Sequence, residues 1–326
     1  MATFTRLPSM WSREYRETRQ VLHSPPYRKN IFGMPVEFKT EFLVVGAGPA
    51  GASCAWGIAS RGGRVVIADR SRFPRPKLCG GALSDYGVGL LTGKGMLLSR
   101  ELDDLTVALH GSLSCFDGST LLGTWNDARP AMRLVDRTSF DSFLLRRAVE
   151  AGAVPLTGAE FLGLERGAAV FADGARVVFD RMLGADGAAS TVRRRVYGRP
   201  GGGRLGLCLG TFVPLAPAVL ERFTPLGLQV RFGLLPYGYG WVFPRSDDLC
   251  IGVGSFGKNV PPVDVRKAME ALLAALELNP RSPLRGALIP LPETRVLPGR
   301  GRVLLGGEAA GLCDRVSGEG ISHALE

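Results

Sequence analysis

"FLVVGAGPAGASCAWGIASRGGRVVIADR" occupies residues 42–70 and reads as strand, glycine turn, helix and second strand. Phe42 to Val45 is an unbroken apolar run, as a strand buried on both faces requires. Gly46-Ala47-Gly48-Pro49-Ala50-Gly51 spells GxGxxG. Gly46 permits a tight turn, Gly48 lets the backbone approach a pyrophosphate, and Gly51 lets helix and strand pack closely. The helix N-terminus adds unpaired N–H groups and a partial positive charge where phosphates would lie. Asp69 closes the second strand 23 positions beyond Gly46, where an acid hydrogen-bonds an adenosine ribose. Arg70 follows it and is counted with the cofactor contacts.

Two distant segments extend this unit. "MLGADGAASTVRR" (182–194) and "GRVLLGGEAAGLCDRVSGEGI" (301–321) are further strand-to-glycine-turn pieces. A late unit of this kind is what FAD proteins use to hold the ribityl chain and isoalloxazine, so the cofactor is read as FAD. Asp186 belongs to the first piece. In the second, Glu308 reaches a ribityl hydroxyl, and Gly318, Gly320 and Ile321 offer backbone N–H groups to the flavin N1/O2 edge. A helix starting there favours an anionic reduced flavin through its dipole. The expected fold is a Rossmann-like α/β FAD-binding domain carrying an inserted antiparallel-sheet substrate domain. The FAD domain is discontinuous, over 34–95, 131–200 and 296–326, and the insert covers 96–130 and 201–295. The glycine runs at 200–203 and 299–301 are read as crossings between the two. An amphipathic helix is predicted over 264–278, with Val265, Met269, Leu272 and Leu276 on one stripe and Asp264 as its cap.

Inside the insert, "YGYGWVFPRSDDLCIGVG" (237–254) places Tyr237, Tyr239, Trp241 and Phe243 at every second position. Strand side chains alternate faces, so the four aromatics are expected on one face. With Arg245–Asp248 as a four-residue loop, Trp241 faces Gly252, Tyr239 faces Gly254, and Phe243 faces Cys250. The reading is an aromatic wall over a floor nearly bare of side chains, a slot for something flat or thin.

Composition narrows the class. The 326 residues suffice for two domains, and a hydrophobic content of 45% describes a globular protein. Six scattered cysteines without CxxC, and three histidines, argue against metal or a disulfide scaffold and for a reducing cytoplasm. The formal charge of +10 comes without a nucleic-acid motif; lipid headgroups or a diphosphate substrate fit it better, with peripheral membrane contact allowed. Residues 1–33 are basic and proline-broken, and are read as an extension or as a mis-assigned start ahead of Met34.

"RFPRPKLCGGALS" (72–84), "VDRTSFDSFLLRRAVEAGA" (135–153), "YGWVFPRSDDLCIGVG" (239–254) and the terminal "GEGI" together resemble the geranylgeranyl reductase family, within the flavoproteins of the p-hydroxybenzoate hydroxylase fold. The discriminating match is Tyr-x-Trp-x-Phe-Pro, seven residues, then Gly-x-Gly, together with Cys79-Gly80-Gly81. The resemblance covers roughly residues 40–326. It implies that Gly46, Gly48, Pro49, Ala50 and Gly51 hold the pyrophosphate and Asp69 the ribose. It sets Cys79, Gly80 and Ala82 beside the flavin, Arg137 on its phosphates or ribityl chain, and the backbone near Phe161 on adenine. Tyr239, Trp241 and Phe243, with Gly252 and Gly254, would line the passage for an isoprenoid chain. The implied reaction is reduction of isoprenoid double bonds of a prenyl lipid or prenyl diphosphate, with NAD(P)H or ferredoxin as electron donor and Tyr239, Cys79 or a water as proton source. An FAD monooxygenase or halogenase is the alternative on the same fold, although halogenase-like chains carry Trp-x-Trp-x-Ile-Pro. A non-catalytic flavin- or lipid-binding protein is the third reading. The chain departs from the family at Glu308 (usually Asp), at Arg315 (usually Pro), at Asp69 (commonly Glu) and in ending at Glu326, which is read as a C-terminal truncation.

Overall fold

The computed structural model describes residues 37–127, 132–198, 204–256, 260–279, 282–291, 299–314 and 317–326. The segment 1–33, the glycine run at 200–203 and Arg315 lie outside the described residues.

Five parallel strands form the centre of an eight-stranded sheet, in the order Val303–Leu305, Arg176–Gly184, Glu37–Val45, Val65–Asp69 and Val154–Thr157. Leu43, Val44, Ile67 and Ala68 are almost wholly buried, as the continuous apolar runs require. The helix Pro49–Ala59 packs on this sheet through Gly51, Ala55 and Ala59. Small residues there let helix and sheet approach. The strand order reverses beside Glu37–Val45, where open α/β sheets bind their ligands at the carboxyl ends.

A seven-stranded sheet stands apart, ordered Arg285–Leu291, Arg204–Pro214, Asp248–Ser255, Gly238–Pro244, Leu228–Phe232, Ser112–Asp117 and Thr120–Asn126. Its pairs are antiparallel except Leu228–Phe232 with Ser112–Asp117, which run parallel. One face is covered by the helix Pro262–Ala275. The stripe of Val265, Met269, Leu272 and Leu276 is buried as expected, at about 1.5–3 kcal/mol for each side chain taken from water. Asp264 does not cap this helix: Pro261 holds the cap position, and Asp264 lies in the first turn, where its charge still favours the helix. A third, three-stranded sheet of Ala82–Ser84, Met132–Val135 and Thr106–His110 sits with the helices Asp85–Gly93, Ser99–Leu105, Arg137–Glu150 and Ile321–Leu325.

The glycines at 299–301 do not form a crossing. Gly299–Arg300 pairs antiparallel with Val303–Leu305, and Gly301, at φ +61°, makes the tight turn of that hairpin inside the eight-stranded sheet. Only the left-handed backbone that glycine adopts freely closes so short a connection.

Candidate flavin and substrate site

The glycine loop is locked to its neighbours at the carboxyl ends of the parallel strands. Gly46 N donates to Ala68 O at 2.7 Å, Ala185 N to Val45 O at 2.7 Å, and Gly306 N to Gly184 O at 2.9 Å. Gly46 has φ +103°, and a Cβ there would lie 2.2 Å from Ala185 O. A Cβ at Gly51 would stand 1.8 Å from Gly46 O. Gly48 differs: the first atom a Cβ would meet is Nη2 of Arg75, at 3.6 Å. The helix that follows has no side-chain cap and no acid in its first turn, so its leading N–H groups remain for an anion. The fit to a dinucleotide diphosphate is therefore good: packing forbids side chains at two glycines, the third leaves space beside a cation, and Pro49 and Ala50 open the helix.

Asp69 is buried, with Oδ2 accepting from Ala47 N at 2.8 Å and Oδ1 from Ser71 N at 2.7 Å. It braces the glycine loop, and each oxygen keeps a lone pair for a further donor. Arg70 is exposed. The backbone just before Phe161 runs beside this acid, Ala159 N donating to Asp69 O at 2.9 Å. The Phe161 ring itself is core, edge-on to Phe171 at 6.0 Å. Asp186 accepts from Ser190 Oγ and from Thr191 N and Val192 N, which caps the helix Thr191–Tyr197. Glu308 opens toward Lys77 Nζ at 3.9 Å. The Gly318 N–H does not stay free for a flavin edge: it donates to Asp314 O at 3.0 Å. Gly320 and Ile321 begin the short helix Ile321–Leu325.

Arg137 is buried and joins Asp141 by two bonds, Nε to Oδ1 at 2.7 Å and Nη2 to Oδ2 at 2.9 Å. Burial opposes its charge, but the Asp141 carboxylate more than offsets this and holds it firmly cationic. Gly81 N also points at Cys79 Sγ, at 3.4 Å. Gly81, at φ +74°, and Ala82 carry the turn into the strand that pairs with Met132–Val135.

The hairpin register matches the sequence reading: Tyr239 opposite Gly254, Trp241 opposite Gly252, Phe243 opposite Cys250. The loop closes through Arg245 N to Asp248 O at 2.8 Å. Tyr237 is a correction. It precedes the strand with φ +54° and is 82% exposed, so the backbone turns it away from the other aromatics. The bare floor is a second correction. A Cβ at Gly252 would lie 2.2 Å from Cζ2 of Trp241, so the indole itself covers that glycine; at Gly254 it would lie 2.9 Å from Cys208 Sγ. Register predicts neighbours but not the rotamer that fills a gap. The Phe243 ring reaches out of the hairpin onto Gly80, where a Cβ would stand 2.6 Å from Cε2. The Cys250 thiol approaches Cys79 O at 3.6 Å. The aromatic strand thus abuts the Cys79-Gly80-Gly81 turn.

Tyr239 Oη donates to Ser317 O, and its ring tilts against Phe256 at 5.5 Å between centroids. Burial above all raises its pKa. Burial likewise pushes the thiols of Cys208, Cys250 and Cys313 up to about 12, so all three are neutral. At the hairpin tip, the Arg245 guanidinium pairs with Asp248 at 3.2 Å and with Asp136 at 3.5 Å. Asp136 is the cap of the Arg137 helix. Arg75, Asp141 and Asp136 escaped the sequence reading, and Arg245 was read only as the start of the hairpin loop. The available signal for Asp141 was its i, i+4 spacing from Arg137.

The FAD binding domain family profile matches residues 39–206. The chain belongs to that family. It is 31% identical over 311 residues to the geranylgeranyl diphosphate reductase of Rhodobacter capsulatus, covering 88% of this chain and 72% of the relative. It is 31% identical over 313 residues to the menaquinone reductase of Mycolicibacterium smegmatis, covering 88% and 74%. Among solved structures, a geranylgeranyl bacteriochlorophyll reductase-like protein of Thermoplasma acidophilum superposes with a TM-score of 0.76 at 19% identity, covering 89% of this chain and 76% of that one. A probable FAD-dependent monooxygenase of Pseudomonas aeruginosa gives 0.68 at 20%, covering 88% and 83%. The chain is therefore a p-hydroxybenzoate hydroxylase-like FAD oxidoreductase related to the geranylgeranyl and menaquinone reductases. Among the described residues no helix is long and apolar enough to cross a membrane, and no cluster of metal-ligating side chains is found.

Proposed function

We propose that this flavoprotein reduces isoprenoid carbon–carbon double bonds of a prenyl lipid or prenyl diphosphate, drawing electrons from NAD(P)H or a ferredoxin. The observation that carries this reading is the seating of Phe243 on Gly80, which sets the Tyr239–Trp241–Phe243 strand against the Cys79 turn. An apolar chain laid on such aromatic surface is held out of water next to the cofactor. When bound, reduced FAD supplies the hydride. Gly46, Gly48, Pro49, Ala50 and Gly51 would hold its diphosphate together with Arg75 and Arg137. Asp69, with its remaining lone pairs, would hold the ribose, and Glu308 the ribityl chain. Tyr239 positions rather than protonates, since its hydroxyl hydrogen is engaged by Ser317 O. That leaves Cys79, or a water beside it, as the proton source.

The test is to reduce the purified flavoprotein with dithionite, add a geranylgeranylated lipid, and weigh the product. A gain of two hydrogens per bond supports the reading. A gain of one oxygen under NAD(P)H and air would instead make the chain a monooxygenase, and no change with any prenyl substrate would remove the reductase assignment.

A further inference from the structure

Asp141 is wholly buried, yet neither oxygen lacks a cation. Arg137, one helical turn before it, takes both oxygens and fixes the plane of the carboxylate. Oδ2 then meets a second guanidinium, Nη2 of Arg75, at 3.2 Å. Arg75 comes from the loop after Asp69 and is restrained twice more: its guanidinium lies over the Phe73 ring at 5.0 Å, and Nη2 stands beside Gly48. One buried anion with two cations leaves the Arg75–Asp141–Arg137 cluster with a net positive charge. The same Nη2 thus meets the carboxylate and faces Gly48, and with the guanidinium stacked on a ring its remaining N–H is held in a fixed direction. We propose that Asp141 is a positioning residue of the flavin site: anchored by Arg137, it aims Arg75 at the diphosphate of FAD over Gly48. The inference concerns cofactor capture and holds whichever reaction the bound flavin performs.

The experiment is a double-mutant cycle on FAD affinity, read by flavin fluorescence on the full chain stripped of cofactor. Arg75→Gln and Asp141→Asn are each expected to weaken FAD binding by about tenfold or more, as for loss of a charge-assisted bidentate contact. The double variant should bind no worse than the weaker single variant, because Asp141 acts through Arg75. Losses that multiply would show Asp141 to be ordinary structural support and overturn the proposal. So would an Arg75→Gln variant that binds FAD as the unaltered protein does. Should Asp141→Asn fail to fold with Arg137 unpaired, Arg75→Lys decides: it keeps the charge and loses the fork. A tenfold loss supports the aimed-guanidinium geometry, and unchanged affinity overturns it.

Discussion

Tyr239 and Ser317 are joined by a hydrogen bond from phenol to carbonyl, which ties the aromatic strand to the loop leading into the last helix. Tyr239→Phe removes this tie and keeps the ring. The expected result is retained FAD, a stability loss of about 0.5–1.5 kcal/mol, and turnover reduced by less than about tenfold, since a catalytic proton donor contributes roughly a hundredfold or more. Melting curves and steady-state rates check it. A collapse of turnover by orders of magnitude, with FAD still bound, would make the phenol the acid.

Gly48 and Gly51 should respond differently. At Gly48 an added Cβ meets only the Arg75 guanidinium, at ordinary contact distance, so Gly48→Val should melt near normally and yet fail to retain FAD. Gly51→Ala drives a methyl into Gly46 O and should impair folding itself. Flavin content per chain and circular dichroism separate the two. Full FAD occupancy in Gly48→Val would refute the cofactor contact.

Trp241 and Gly252 form a third test. Gly252→Ala should displace the indole at about 1–3 kcal/mol, the usual range for overpacking. In a Trp241→Ala background the same change should cost much less, because the clashing partner is gone. Trp241→Ala alone should leave the flavin spectrum intact and lower isoprenoid turnover. If both variants shed flavin with no separate effect on substrate, the hairpin is core and nothing more.

His110 sets a pH dependence. Its Nε2 lies 2.8 Å from Pro244 O, and burial lowers its pKa below the ordinary 6.5, against the opposing pull of that carbonyl. A depressed folded pKa means the unfolded chain takes up the proton first. The stability attached to the neutral ring is therefore complete above about pH 6.5 and is lost as pH falls from there toward the lower folded value. His110→Gln, which retains a donor for Pro244 O, should melt with a flatter profile over that interval. Parallel profiles for the two proteins would exclude His110 as the source.

The glycine loop was readable because each requirement is local: a positive φ at Gly46 and no room at Gly51 are properties of adjacent backbone. The hairpin pairing was readable for the same reason, since a period of two and a turn fix which residues oppose. Reading failed where geometry left the chain's immediate neighbourhood. Tyr237 keeps the period, but its left-handed backbone breaks the strand just ahead of it. The rotamer that lays Trp241 over Gly252 is chosen by packing. Arg75 and Asp141 sit far apart in sequence and meet only because one loop and one helix converge on the same crevice.

The aromatic sheet is assembled from two stretches of chain, 112–126 and 204–291, joined by the parallel pairing of Ser112–Asp117 with Leu228–Phe232. Between them in sequence, among the described residues, run five strands and two helices, including the Arg137 helix. Neither half can therefore be exchanged as a cassette. Grafting a different substrate wall onto this flavoprotein would take two coordinated replacements that preserve one shared seam, so lineages built on it should diversify by point changes within the wall rather than by recombination of modules.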